Sequence, residues 1–196
     1  MQDYLGIRNP CAGGVFDTTT HHLSGQFTVP KGLRLGVECE IAVTLGRDLL
    51  PYGQPLNERT AADAVESCAA AIEVVEDRYV DYPSLKAPSL IADDFFGAGC
   101  VLGAPDTAFR PEALSTVTAT MWINGEAVGS GNGSDVLGDP MRALSWLANN
   151  LLGRGQTLRK GDFVLLGSLV QTNWVKPGDE VLIRNQPLGE ARVTFA

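Results

Sequence analysis

No run of eighteen or more consecutive apolar residues occurs in the chain, so no segment reads as a membrane-spanning helix. Histidine is almost missing. The only two are adjacent, His21 and His22, too few for a histidine-rich transition-metal site. The four cysteines, Cys11, Cys39, Cys68 and Cys100, lie far apart and form no C-x-x-C pair. That spacing supports neither a thiolate zinc site nor the disulfide framework of a small secreted domain. Positive charge is also scarce: 15 Lys and Arg stand against 23 Asp and Glu, a net charge of −8. A surface of that sign repels polyanions, so nucleic acid is not an expected partner. Met1–Leu5 offer neither the basic region nor the apolar stretch of a secretory signal, and a cytoplasmic location is expected.

What is present is ordinary for a globular chain. Of 196 residues, 44% are apolar and 19% charged, enough for a full core in one domain spanning 1–196. No internal repeat or low-complexity linker divides it. Pro10, Gly13, Gly14, Gly25, Pro30, Gly32 and Gly36 punctuate the first 36 residues, with short strand candidates at Val15-Phe16 and 26–29. Residues 37–45 alternate as a strand. Thr60–Ala71 reads as an alanine-rich helix capped by Thr60, passing into a β-branched strand near Val75. Residues 81–88 read as a loop. Val117–Ile123 and Glu126–Val128 flank Asn124-Gly125, a strong hairpin signal. Gly129–Gly133 reads as a turn, because no phosphate-loop or dinucleotide pattern accompanies its glycines. Pro140–Leu152 is the clearest helix, with Met141, Leu144, Leu147 and Leu151 on one stripe and Gly153 as its stop. Short strands are expected at 163–166, 181–183 and 191–195, with a type II turn at Lys176–Asp179. Trp122 and Trp146 read as core residues. Many short strands and two helices predict an α+β fold, mostly β.

One stretch carries chemistry. In Val37-Glu38-Cys39-Glu40-Ile41-Ala42-Val43 the strand period of two sends Glu38 and Glu40 to the same side, and Cys39 to the apolar side. Two adjacent carboxylates repel unless water or a cation screens them, so a solvated face and a metal site both remain open here. A hard, oxygen-preferring ion such as Mg²⁺ or Mn²⁺ suits the available ligands. Glu73 interrupts the apolar Ala69–Val75 run and must be exposed or compensated by a partner.

Taken together, the E-x-E strand, the A-I-E-V-V segment some thirty residues on, N-G-E-x-V, L-G-D-P-x-x-A-L-x-W-L-A-N, G-D-x-x-L-x-G-S-L and V-x-P-G-D resemble one family. It is the 2-keto-4-pentenoate hydratase branch of the fumarylacetoacetate hydrolase superfamily. The resemblance covers nearly the whole chain and implies a mixed β-roll with flanking helices, in a homo-oligomer. It implies Glu38, Glu40 and Glu73 as carboxylate ligands of Mg²⁺ or Mn²⁺. It also implies a hydratase-like lyase that acts on a small 2-oxo acid of aromatic or sugar-acid breakdown through an enolate. Decarboxylation of a 2-oxo diacid, hydrolysis of an acylpyruvate, and a non-catalytic subunit are the alternatives. Asp17 stands where family members carry an acid and is a candidate base, with a turn aspartate as the plainer alternative. Ser168 and Leu169 fall in a pocket-lining loop of the family, and Arg78 could meet a substrate carboxylate or pair with Asp77. His21 and His22 read as loop histidines rather than a proton shuttle.

The chain departs from the pattern in three places. The hydratases carry a G-R-K-I-G-L-like stretch in an N-terminal segment that this chain does not show before Met1. They have P-D-x-G where Pro10-Cys11-Ala12-Gly13 stands here, and A-D-N-A-S where Ala92-Asp93-Asp94-Phe95-Phe96 stands here.

Overall fold

Two long neighbouring strands, β3 (Arg34–Leu45) and β4 (Val65–Asp77), form the antiparallel spine of the protein. The computed structural model describes residues 7–51 and 53–196. The opening Met1–Gly6, which includes the Met1–Leu5 stretch discussed above, and Tyr52 therefore lie outside the described residues. Around the spine, β1 (Thr20–His22), β5 (Gly97–Leu102), β8 (Phe163–Leu165) and β9 (Val170–Val175) complete a six-stranded sheet in the order β1-β5-β4-β3-β8, with β9 also on β3. A second sheet runs β2 (Ser24–Phe27), β11 (Gly189–Phe195), β10 (Glu180–Gln186), β6 (Thr118–Ile123) and β7 (Glu126–Asn132). The β1/β5 and β2/β11 pairs are parallel and the others antiparallel, so both sheets are mixed.

Strand alternation builds the core between the sheets. Val37, Cys39, Ile41 and Val43 from β3, with Ile72 and Val74 from β4, meet Met121, Ile183 and Val193 from the second sheet, all 0–1% exposed. Burying one such large apolar side chain contributes about 1.5–3 kcal/mol, so this layer is the main source of stability. Among the described residues, three α-helices flank the sheets: α1 (Glu58–Ala62), α2 (Ala87–Ala92) and α3 (Pro140–Leu152). Helix α3 begins at Asp139, whose side chain accepts from the Met141 amide, and buries Met141, Leu144 and Ala148. The Asn149 side chain ties α3 to Leu56 through both Leu56 main-chain groups. Among the described residues, no helix is long and apolar enough to cross a membrane.

The hairpin at Asn124-Gly125, the α3 helix and the Lys176–Asp179 turn stand as expected, the last with Gly178 at φ +91°. Other expectations are corrected. The alanine run of Thr60–Ala71 is not a helix: α1 ends at Ala62, and Ala69, Ala70 and Ala71 belong to β4. Asn57 caps α1 and Thr60 closes a reciprocal capping box as its third residue. Alanine favours helix only weakly, and burial in a central strand with β3 and β5 on either side outweighs that preference. Residues 87–92, expected partly as loop, form α2, with Pro88 in its first turn. Val15-Phe16 is not a strand. Gly129–Gly133 is mostly strand: β7 continues to Asn132, and a Cβ at Gly131 would overlap the Leu169 carbonyl. The missing side chain lets the 167–170 segment lie against β7. Trp122 is half-buried on the outward face of the second sheet, beneath the Arg184 guanidinium at 5.7 Å, and not in the core; Trp146 is half-buried on α3.

Candidate metal centre

Register decides the composition of the site. Glu38 of β3 sits directly opposite Glu73 of β4, and Glu40 opposite Ala71. Because Cys39 and Ile41 fill the core, Glu38 and Glu40 stand on the other face of the same sheet. One carboxylate oxygen from each of Glu38, Glu40 and Glu73 lies within 4.8 Å of the other two. Glu40 is 3% exposed; its two companions are half-buried. A row of side chains extends across the sheet in register, from Thr20 through Cys100 and Glu73 to Glu38. At its far end the Thr172 hydroxyl donates to Glu38.

A break in the sheet gives Glu40 its partner. Both β8 and β9 pair with β3, but the ladder pauses between Leu165 and Val170. Leu166 N donates to Ile41 O at 3.0 Å and Leu169 N to Cys39 O at 2.8 Å. Between them, Gly167 and Ser168 loop over the face, and Gly167 N donates to Glu40 Oε2 at 2.8 Å. Gly167 holds φ at +124°, a region open to glycine and strained for other residues. The Ser168 hydroxyl donates to Val170 O at 2.6 Å and lies 3.5 Å from Cys39 O.

The electrostatics are severe. Burial lifts the Glu38 carboxyl above its ordinary range, opposed by the Thr172 hydroxyl. Burial, followed by repulsion from Glu73 and Glu38, lifts Glu40 far more, and the Gly167 amide offsets only part of this. Glu73 is pushed up to about 8 by burial and then by Glu38, with a hydrogen bond from Glu40 working the other way. Three carboxylates this close cannot all be ionised without a counter-charge. Around neutral pH the trio therefore retains protons unless a cation replaces them, and among the described residues no arginine or lysine forms an ion pair with any of the three. An all-oxygen donor set, largely withdrawn from water, fits a hard divalent ion. The thiols are no rivals as ligands. Burial pushes Cys100 up to about 11 and Cys39 and Cys68 up to about 12, so all three remain protonated near neutrality.

Beside the acids, on the same face, Ala42, Ala71, Cys100 and Leu102 form a small apolar cluster with Phe163 and Leu165. Asp17 lies exposed in a single 3-10 turn just before β1, at the edge of the sheet that carries Thr20. Arg78 pairs with Glu76 at 3.4 Å and Asp93 at 3.1 Å and donates to the carbonyls of Phe96 and Gly97. His21 packs edge-on against Phe27, and His22 is exposed. Leu169 is buried beneath the loop that Gly167 and Ser168 form. Around the departure at 92–96, Asp94, Phe95 and Phe96 all take positive φ (50°, 51° and 67°), and Asp94 Oδ1 accepts from Gly14 N at 2.7 Å. That strain persists because Arg78 and Gly14 hold the segment from both sides. The Gly167 amide and the Thr172 hydroxyl were not foreseen from sequence. The only signal was G-S-L for the first; Thr172 lay in a segment without strand patterning.

A mixed two-sheet β-roll, with an acidic trio on the outer face of its larger sheet, is the class of protein that these features define. The chain belongs to the fumarylacetoacetate hydrolase family: the model of the fumarylacetoacetate hydrolase C-terminal region matches residues 13–196. It is 32% identical over 199 residues to the 2-keto-4-pentenoate hydratase of Paraburkholderia phymatum, covering 100% of this chain and 74% of that one. It is 29% identical to the 4-oxalocrotonate decarboxylase of Pseudomonas putida, covering 97% and 71%. The structure of 4-oxalocrotonate decarboxylase from Pseudomonas putida G7, complexed with magnesium and adipate, superposes with a TM-score of 0.91 at 26% identity, over 100% of this chain and 73% of that one.

Proposed function

We propose that this protein is a divalent-metal-dependent, hydratase-like lyase acting on a small 2-oxo acid, with Glu38, Glu40 and Glu73 holding Mg²⁺ or Mn²⁺. The observation that carries the reading is the trio itself, three carboxylate oxygens within 4.8 Å on a face shielded from water. The hydratase relatives and the magnesium-bound neighbour support it. When bound, the ion supplies Lewis acidity to the 2-oxo acid, favouring loss of a proton from its C3 carbon.

The chain's own groups prepare that chemistry. The Gly167 amide and the Thr172 hydroxyl fix the Glu40 and Glu38 carboxylates before any ligand arrives, so little reorganisation is left for binding. The apolar cluster of Ala42, Ala71 and Leu102 keeps water from the inner side of the acids. Ser168 borders the same face and contributes to substrate binding, Leu169 takes part in that binding from the core beneath the loop, Arg78 is the candidate for a distal carboxylate, and Asp17 is the candidate base. The reading includes a homo-oligomer, as the family resemblance implies, in the cytoplasm. A second reading, decarboxylation of a 2-oxo diacid, is favoured by the 0.91 TM-score to the decarboxylase.

The test is C3 proton exchange. With Mg²⁺ or Mn²⁺ the protein is expected to exchange the C3 protons of pyruvate-like acids in D₂O, and a Glu73→Ala variant is not. Metal binding without exchange across a panel of 2-oxo acids would overturn the catalytic reading, and absence of metal binding would overturn the site.

A further inference from the structure

A fully buried asparagine stands in a layer of the core that is otherwise apolar. Asn185 lies on β10 with 0% exposure, on the face that carries Val181 and Ile183. Its side chain crosses the space between the sheets to β3. Nδ2 donates to the Glu40 carbonyl oxygen at 2.7 Å, and Oδ1 accepts from the Cys39 thiol at 3.2 Å. The orientation of the amide is determined, because a carbonyl oxygen only accepts and so must face the nitrogen. A buried amide is tolerated when both ends are bonded, as here.

The place of this contact matters. Glu40 is the most deeply buried of the three acids, and its carboxylate leaves β3 on the side opposite Asn185. It is also the point at which β3 loses regular pairing on one edge, between Leu165 and Val170. The residue is thus gripped twice: its carboxylate by the Gly167 amide and its peptide by Asn185. A strand free to shift here would move one ligand oxygen relative to the other two.

We propose that Asn185 is a positioning residue for the metal centre, clamping the Glu40 carbonyl, and so the Glu40–Ile41 peptide, from the opposite sheet so that the Glu40 carboxylate meets the cation in a fixed place. This rests on the reading of Glu38, Glu40 and Glu73 as metal ligands. Groups that orient ligands without touching the metal typically change its affinity about 10–100-fold when removed.

The experiment compares Mn²⁺ binding by calorimetry, and the bound-Mn²⁺ electron paramagnetic resonance spectrum, in the full chain and two variants. Asn185→Leu keeps the volume and removes the clamp; Cys39→Ala removes only the thiol that donates to the amide oxygen, leaving the bond to the Glu40 carbonyl. The full chain binds Mn²⁺, Asn185→Leu binds at least about ten-fold more weakly with an altered zero-field splitting, and Cys39→Ala stays within about three-fold. Should Asn185→Leu not fold, Asn185→Ser is held to the same thresholds. Wild-type affinity and an unchanged spectrum in the Asn185 variant overturn the proposal, whatever its melting temperature. Equal weakening by Cys39→Ala also overturns it, since the effect would then follow core packing and not the clamp. A full chain that binds no Mn²⁺ or Mg²⁺ instead removes the metal centre itself.

Discussion

Glu38 and Glu73 face one another directly across the β3–β4 ladder, two acids in a cross-strand position where like charges destabilise. With Glu40 beside them the strand pair is loaded with repulsion, which protons or a cation must relieve. Most of the expected behaviour follows from that relationship.

The pH dependence of the metal-free protein has a definite sign. Glu73 is pushed up to about 8, whereas an unfolded glutamate titrates near 4.3. Between those values the folded state holds a proton that the unfolded state has lost, so stability falls as pH rises and levels off above about 8. The melting temperature is expected to drop by several degrees from pH 5 to pH 8.5 in chelator. Saturating Mg²⁺ should flatten the profile, and thermal melts across that range check both.

Metal should stabilise the fold in proportion to its affinity. At one hundred times the dissociation constant the gain is about 2.7 kcal/mol, a rise on the order of 5–10 °C for a chain of this size. Glu40→Gln is expected to lose that rise and, with one acid fewer, to melt no lower than wild type in chelator above pH 8. Differential scanning fluorimetry with and without Mg²⁺ reads both effects.

Gly167→Ala tests the loop that grips Glu40. A side chain at φ +124° is strained, and its Cβ would touch Val136 at 3.4 Å. The cost is expected to be about 1–3 kcal/mol in urea unfolding, together with weaker metal binding as the amide leaves Glu40.

Thr172→Val keeps shape and removes the hydroxyl from Glu38. Metal affinity should fall about ten-fold with a small change in melting temperature, measured by calorimetry and melts on the same sample.

How far the chain could be read in advance depends on the range of the signal. Alternation at Glu38 and Glu40, the Asn124-Gly125 hairpin and the α3 stripe are local patterns, and each survives in the structure. The pairing of Glu73 with Glu38 is not local, and only the family resemblance brought the third acid to the other two. Ala69–Ala71 misled because small residues suit a helix by propensity and a crowded central strand by packing. Gly131 misled because its glycine serves a close approach by Leu169, a partner that is distant in the chain. Asn185 could not be read at all: nothing in V-L-I-R-N-Q says that its amide reaches another sheet.

The pause between β8 and β9 separates two duties within one edge of the sheet. Strands on either side are committed to pairing, where a change of residue disturbs the whole ladder. Gly167 and Ser168 are released from that obligation while still touching the acids. Evolution or a protein engineer can therefore retune reactivity at Ser168 with the surrounding ladder intact, while Gly167 stays fixed by its φ of +124°.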